Sequence, residues 1–515
     1  MKDAPSADNA KKARNYASVA LFVLFFTIIA NLYYTGGPIY YRVAASLAVI
    51  IIAGELILRI NNFPRILSGV YMAKSQLGIK LMEKLAGKRQ WLWNGMADWG
   101  LVMGFGLLSL VIFKKDISRR AIAFGTLSML FILIVVLPYS SLSFAFINIP
   151  HVTSRIQSGT AAAGASQPNL VVYVIYAIAA LGGFVLYTIA LLGYNAALIL
   201  YGIAVALFTT ITSVPNYAGL NSSVPGVAPL LPGITIPFFA GILSLALILS
   251  IHEFSHGILA RIAKIRLLSS GLLMLGIIPI GGFVEPDEKK IKKLGAKLQN
   301  RISAAGVASN MLLSVIMLVP MLLMFFYVMP HFYHSYLFVS ATEKGSAASV
   351  LAVNSTILMW NGHNVSNITE LQAAAKQDAA YSNVSVVTTS GSYVMKANAT
   401  GKIGVFIGEA QSLGGGMLGG AASFFYTFFS LTFLLSFLIA LVNYLPVPSF
   451  DGWRIFTTSI KRKGYTLATT SFIVVALYIN LLPWVWIIPN LGIPAAILGA
   501  VAVAGILNWL WKWSR

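Results

Sequence analysis

The chain has 515 residues, 58% of them hydrophobic and 10% charged, with a formal net charge of +21 from 36 Lys and Arg against 15 Asp and Glu. So little charge over such a length excludes an ordinary soluble domain and points to a polytopic membrane protein; the basic excess, scattered between apolar segments, fits a cytoplasmic charge bias and anionic lipid rather than nucleic acid. With no cysteine in the chain, disulfides and thiol chemistry are excluded, and any metal is left to His and carboxylates.

A polar stretch, Met1–Tyr16, opens the chain. The apolar run Ala17–Ala30 that follows lacks a small-residue cleavage site and is expected to be retained as a span. Apolar runs near 17–34, 38–59, 121–148, 170–192, 194–212, 234–260, 304–329, 419–445, 467–487 and 493–511 predict about ten full spans. The run at 98–113 is short and contains glycine, and is expected to be re-entrant or interfacial. Segment 60–94 is polar and basic, with Lys80, Lys84 and Lys88 at helical spacing, and reads as a surface helix. The Ser-, Ala- and Gly-rich stretch 152–169 has the composition of a flexible loop.

Orientation follows from the basic residues. Arg261, Lys264 and Arg266 follow one apolar run and Lys461, Arg462 and Lys463 follow another, which puts both ends in the cytoplasm and residues 330–414 outside. The outer segment carries glycosylation acceptor patterns at Asn354, Asn364, Asn367, Asn383 and Asn398, with another at Asn221 in a loop on the same side. Within it, strand-like pieces Tyr336–Thr342, Thr356–Trp360 and Val384–Thr389, the turn Asn361–Gly362 and a helix Thr369–Lys376 predict a small α+β module. The expected organisation is an N-terminal membrane region 1–230 of about five to six spans, a first core half 231–330, the module 331–412, a second core half 413–487 and a last span 488–515. Trp93, Trp484 and Trp486 read as interface anchors.

The most telling pattern lies in the run at 234–260. His252, Glu253 and His256 form H-E-x-x-H. Two imidazoles four residues apart stack on one helix face, where both can hold one zinc ion, and the carboxylate between them can polarise a water. Three polar groups at this spacing in an apolar helix cost too much to be idle. A catalytic zinc wants three protein ligands and an open position. His331, His334 and His363 fall on the outer side, and His151 at an outer helix end. Asp451 is the acidic candidate, after Asn443-Tyr-Leu-Pro-Val-Pro-Ser-Phe and before Gly452. Its prolines interrupt a helix at a depth matching His252; the alternative is a turn or capping aspartate. Glu285 and Asp287 are expected to cap the Lys289–Lys297 stretch or to stand near the site.

His252–Gly257 (H-E-F-S-H-G) together with Asn443–Gly452 resembles the two signature motifs of the site-2 protease family, the intramembrane zinc metalloproteases. The resemblance covers about 230–480. It implies Zn2+ as cofactor, Asp451 as third ligand with His252 and His256, and Asn443 as a group that helps hold substrate or transition state. Gly271–Phe283, running on to Asp287, resembles the membrane-dipping segment of archaeal members. Ala305–Asn310 is similar to a further family pattern, with Val307 where proline is usual. Lys344–Val365 resembles a PDZ module built into such proteases, which implies a peptide or substrate ectodomain as partner there; the usual glycine before the strand at Ile357 and a charged carboxylate anchor are missing.

The fold class expected is therefore a polytopic all-α membrane protein with a site-2-protease-like zinc core and a small extracytoplasmic α+β PDZ-like domain. The expected activity is cleavage of transmembrane segments, as in regulated intramembrane proteolysis, with Glu253 taking the proton of a zinc-activated water and Asn443 supporting the oxyanion. Ser255 and residues near Lys264 are expected at the edge of a water path. Gly276, Gly281 and Gly282 around Pro279 predict an extended ribbon that could pair with an unwound substrate or merely pack. Two rival readings stand beside this one: a metal-binding transporter or channel, which internal repetition would mark, and an inert scaffold, which would not need Glu253.

Overall fold

The computed structural model describes residues 7–34, 39–61, 65–67, 70–74, 76–113, 116–136, 170–212, 225–228, 230, 232–233, 235–275, 278–376, 378–487 and 489–514. His151, Asn221, Gly276, the stretch 152–169 and the last part of the run at 121–148 lie outside them. The chain divides into two compact units, Met1–Val319 with Thr427–Arg515, and Pro320–Tyr426.

The first unit is built from helices α1 (Ala7–Tyr34), α2 (Ile39–Ile60), α3 (Gln76–Gly87), α4 (Gln90–Phe105), α5 (Arg119–Phe131), α6 (Leu170–Ile211) and α7 (Phe238–Ile262). After the second unit come α11 (Asp451–Ser459), α12 (Lys463–Leu481) and α13 (Pro489–Ser514). Two more helices, α8 (Ala296–Leu323) and α10 (Gly416–Asn443), start or end in this unit, and α9 (Ile368–Ala375) belongs to the other. Among the described residues, eight helices are long and apolar enough to cross a membrane: Arg14–Leu32, Gln90–Ile112, Tyr173–Ile211, Phe238–Ile262, Ala296–His331, Gly416–Asn443, Lys463–Ile487 and Gly492–Ser514. The chain is a multi-pass membrane protein.

Two expectations about spans change. The run at 98–113 is the second part of the stretch Gln90–Ile112, which is long and apolar enough to cross a membrane. Its polar start is tolerated because Asp98 takes a bidentate pair from Arg301 of α8, at 2.7 and 2.6 Å. The runs at 170–192 and 194–212 form one helix, since no polar turn separates them. That helix breaks instead at Gly183 (φ 65°, ψ −162°). Helix α4 ends beside it at Gly106 (φ 53°). A Cβ on Gly183 would lie 2.3 Å from the Gly104 carbonyl, and one on Gly106 would lie 2.6 Å from the Ala180 oxygen. The two breaks occupy the same point in space, closed over by the fully buried Phe184.

The helical scaffold also carries a four-stranded antiparallel sheet, ordered β1 (Arg65–Leu67), β2 (Val70–Lys74), β3 (Leu267–Leu275) and β4 (Ile278–Pro286). The sequence anticipated an extended ribbon for the last two strands and a surface helix over the first two. Helix α3 forms there, with Lys80, Lys84 and Lys88 exposed, and residues 90–94 open α4. Val70–Lys74 is drawn into strand by pairing along Gly271–Leu275, a partner remote in sequence that local spacing could not announce. Tyr71 of β2 is buried and donates a hydrogen bond to Glu55 of α2 at 2.8 Å.

The second unit holds a six-stranded sheet, β5 (Tyr333–Thr342), β6 (Thr356–Trp360), β7 (His363–Asn364), β8 (Asn383–Thr388), β9 (Gly391–Lys396) and β10 (Val405–Leu413). Its order is β10-β5-β6-β8-β9, with β7 on β6. Leu337, Val339, Ile357, Trp360, Leu371, Val384 and Val386 form its core. Asn367 caps α9 by accepting from the Glu370 amide, and Glu370 reaches back to the Ser366 amide, a reciprocal cap. Strands β7, β9 and β10 add to the three strands read from sequence.

Candidate metal centre

Helix α7 sets the first two groups. Pro237 precedes its first turn, and the helix continues unbroken through His252 and His256 to Ile262. The i, i+4 spacing brings the rings to 4.8 Å between centroids, with Nε2 atoms 3.2 Å apart. His252 is buried and His256 half-buried.

The third group arrives from a turn. Helix α10 ends at Asn443, where Pro446 and Pro448 prevent continuation. The turn is fixed by the buried Tyr444, whose hydroxyl donates to the Gly100 carbonyl (2.7 Å), and by Thr470, which donates to the Pro446 carbonyl (2.7 Å). A Cβ on Gly452 would stand 2.0 Å from the Tyr444 carbonyl oxygen, so only glycine lets α11 start against the turn. Arg454 then pairs with Glu288 (3.0 Å), and Asn300 donates to Ser459 (3.0 Å). Asp451 is the first residue of α11. Its Oδ2 stands 3.1 Å from His252 Nε2 and 3.2 Å from His256 Nε2.

Three donor atoms thus form a nearly equilateral triangle, and they are the His/Cys/Asp/Glu group among the described residues able to hold a metal ion. Donors around a tetrahedral zinc with arms of about 2.0–2.1 Å lie about 3.3–3.4 Å apart, so the triangle has the right size. Room for an ion is kept by Gly306 of α8, where a Cβ would come within 2.4 Å of His256 Nε2 and 2.5 Å of His252 Nε2. Burial alone would raise the Asp451 carboxyl. The two imidazoles outweigh that and hold it well below the usual carboxylate range. The residues fit zinc.

Helix α8 also orients the rings. His256 Nδ1 donates to the Ile302 carbonyl at 2.7 Å, which leaves Nε2 as the acceptor facing the triangle. His252 Nδ1 lies 3.1 Å from the amide nitrogen of Asn310, which is fully buried. The Asn310 amide can present either end to the ring, and its other end has no partner. Turned over, Oδ1 accepts the Nδ1 proton that a histidine binding through Nε2 must carry. Ser436 of α10 donates to the Asn310 carbonyl at 2.7 Å, tying the three helices together. Residues 305–310 had been singled out only as a pattern; the four-residue spacing of Gly306 and Asn310 was the available signal, since it puts both on one helix face.

Glu253 is half-buried on the same helical turn as the histidine pair. Asn443 is half-buried at the end of α10. Ser255, expected beside a water path, is buried and spends its hydroxyl on the Ile251 carbonyl (2.9 Å). Trp484 is not an interface anchor: it is buried, and its indole N–H donates to the Val227 carbonyl (2.7 Å). Asp287 caps the short helix Glu288–Ile291, while Glu285 accepts from Ser269 across β3 and β4 (2.6 Å). His331, His334 and His363 belong to the unit Pro320–Tyr426.

Residues 240–484 match the family model Peptidase family M50. The matched stretch contains both imidazoles and Asp451 as well as Gly306 and Asn443. An uncharacterized protein of Methanocaldococcus jannaschii is 27% identical over 261 residues, covering 48% of this chain and 65% of that protein. The chain therefore spans somewhat less than two thirds of that relative.

Proposed function

We propose that the protein is an intramembrane zinc metalloendopeptidase that hydrolyses peptide bonds within membrane-spanning segments of other proteins. The observation that carries this is the triangle of His252, His256 and Asp451 beside Gly306, inside a helical membrane bundle and within the stretch that matches Peptidase family M50. His252, His256 and Asp451 are the ligands. A bound zinc supplies Lewis acidity toward a water and a scissile carbonyl. Glu253 takes the proton from the attacking water and delivers it to the leaving amide nitrogen. Asn443, at the end of α10, donates to the developing oxyanion.

A membrane helix hides its amides, so a substrate must be unwound before it can react. Strand β4 runs along α7, with Gly282 against Ser250, two residues before His252. One flank of β3 is taken by β2, and among the described residues β4 has no partner on its far side. That free edge suits an extended substrate segment, which favours substrates with helix-weakening Gly, Pro or Asn near the cut.

The six-stranded unit serves as a PDZ-like module outside the membrane, taking a peptide or a substrate ectodomain, with the metal toward the cytoplasm as the basic residues after α7 and α11 suggest. This arrangement belongs to regulated intramembrane proteolysis of the archaeal type.

The test is cleavage of a model transmembrane helix by the zinc-loaded protein in detergent. Glu253→Gln is expected to keep zinc and lose cleavage by at least about a hundredfold. Full cleavage by that variant, or a wild type that holds no zinc, would end the reading.

A further inference from the structure

The turn that delivers Asp451 has a second face. Pro448 and Ser449 line a recess of about 460 Å³ together with Trp453 of α11 and Gly505, Ile506 and Trp509 of α13. Ser449 sits at φ 79°, a strained conformation for a residue with a side chain, two positions before Asp451. The rings of Trp453, Trp509 and Trp513 cluster with centroids 5.2–6.5 Å apart. Lys463 Nζ lies 5.5 Å above the Trp513 ring and donates to the Trp513 carbonyl at 3.2 Å, which leaves ammonium protons free.

Charge and surroundings identify the occupant. Lys461, Arg462, Lys463 and Lys512 are all exposed, and among the described residues none pairs with a carboxylate. Arg454, the remaining cation on α11, is taken by Glu288. Helix α13 meanwhile exposes Ile497, Leu498 and Val501 by 61–70%, an apolar flank suited to acyl chains in a membrane. A recess walled by indoles, with Lys463 one ring away across Trp513 and a bilayer-facing helix along its side, matches a molecule that is anionic at its head and apolar behind it.

We propose that this recess binds one anionic phospholipid. Its phosphate is neutralised by Lys463, and its glycerol and first chain carbons lie between Trp453 and Trp509 against Gly505 and Ile506. The bound lipid buttresses the Pro448–Ser449 turn, so the composition of the inner leaflet sets how firmly Asp451 is held. The binding itself does not rest on the peptidase reading; the effect on Asp451 rests on its role as a ligand.

The experiment uses the full-length zinc-loaded protein in a neutral detergent, titrated with phosphatidylglycerol or phosphatidylcholine and read by native mass spectrometry. One phosphatidylglycerol is expected to stay bound in preference to phosphatidylcholine. Lys463→Gln should weaken that retention about fivefold, and Trp509→Ala should abolish it. Because Trp509→Ala could loosen α13, Trp513→Phe is run beside it and should keep the adduct. Zinc loss to a chelator should slow when phosphatidylglycerol is present. Equal retention of the two lipids, or retention untouched by Lys463→Gln, would overturn the site. Displacement of the adduct by inorganic phosphate would make it a free-anion site and overturn it too. Retained lipid with unchanged zinc loss would overturn the link to Asp451, and the lipid count is readable whether or not the protein cuts peptides.

Discussion

His252 and His256 share one uninterrupted helix, and their spacing alone brings their nitrogens to 3.2 Å. Asp451 comes from a proline-broken turn some two hundred residues later and reaches the same point only because Tyr444, Thr470, Gly452 and Arg454 hold that turn in place. One side of the centre is local and nearly self-sufficient; the other depends on distant packing. The difference teaches where the centre is vulnerable. Damage to the helix side should be all-or-none, whereas the turn side should fail by degrees.

The largest expected effect breaks both sides at once. Gly306→Val puts a side chain into the space between the three donors and should eliminate measurable zinc binding by competition titration, with the helical circular dichroism retained. Next comes Asp451→Ala, which leaves the paired imidazoles and should weaken zinc by roughly a hundredfold or more while some binding survives; zinc held at full strength would remove Asp451 from the ligand set. Asn310→Leu removes the partner of His252 Nδ1 without touching a ligand, and should cost about 10–100-fold in zinc affinity. The smallest effect sharpens the contrast. Tyr444→Phe removes the hydrogen bond to the Gly100 carbonyl at a cost of about 1 kcal/mol, and a modest drop in thermal stability is expected, with zinc affinity lowered only a few-fold. A Tyr444→Phe protein as impaired as Asp451→Ala would mean that the turn has no reserve.

The same contrast explains how much was legible beforehand. The histidine pair could be read directly, since sequence spacing and spatial spacing coincide in a helix. From the residues alone Asp451 was one carboxylate near two prolines, with a turn residue as the alternative, and only the resemblance to a two-motif family implied it as a ligand, because its depth is set by contacts to Gly100 and Pro446 that no local pattern records. Val70–Lys74 was misread for the same reason: its strand exists through pairing with Gly271–Leu275. The merged helix Leu170–Ile211 misled in the opposite direction, its break falling at Gly183 rather than at the dip in hydropathy near 193–195. In the second unit, Tyr333–Thr342 and Asn383–Thr388 announced themselves through alternating β-branched and aromatic residues. Val405–Leu413, with glycine and charge in its middle, did not.

The meeting of Gly106 with Gly183 has an evolutionary corollary. Each residue is small because the other chain passes where its side chain would be, so neither has a purpose without its mate. Lineages carrying this N-terminal bundle should keep or lose the two together, and a homologue with just one of them would need another way to route helices α4 and α6 past each other.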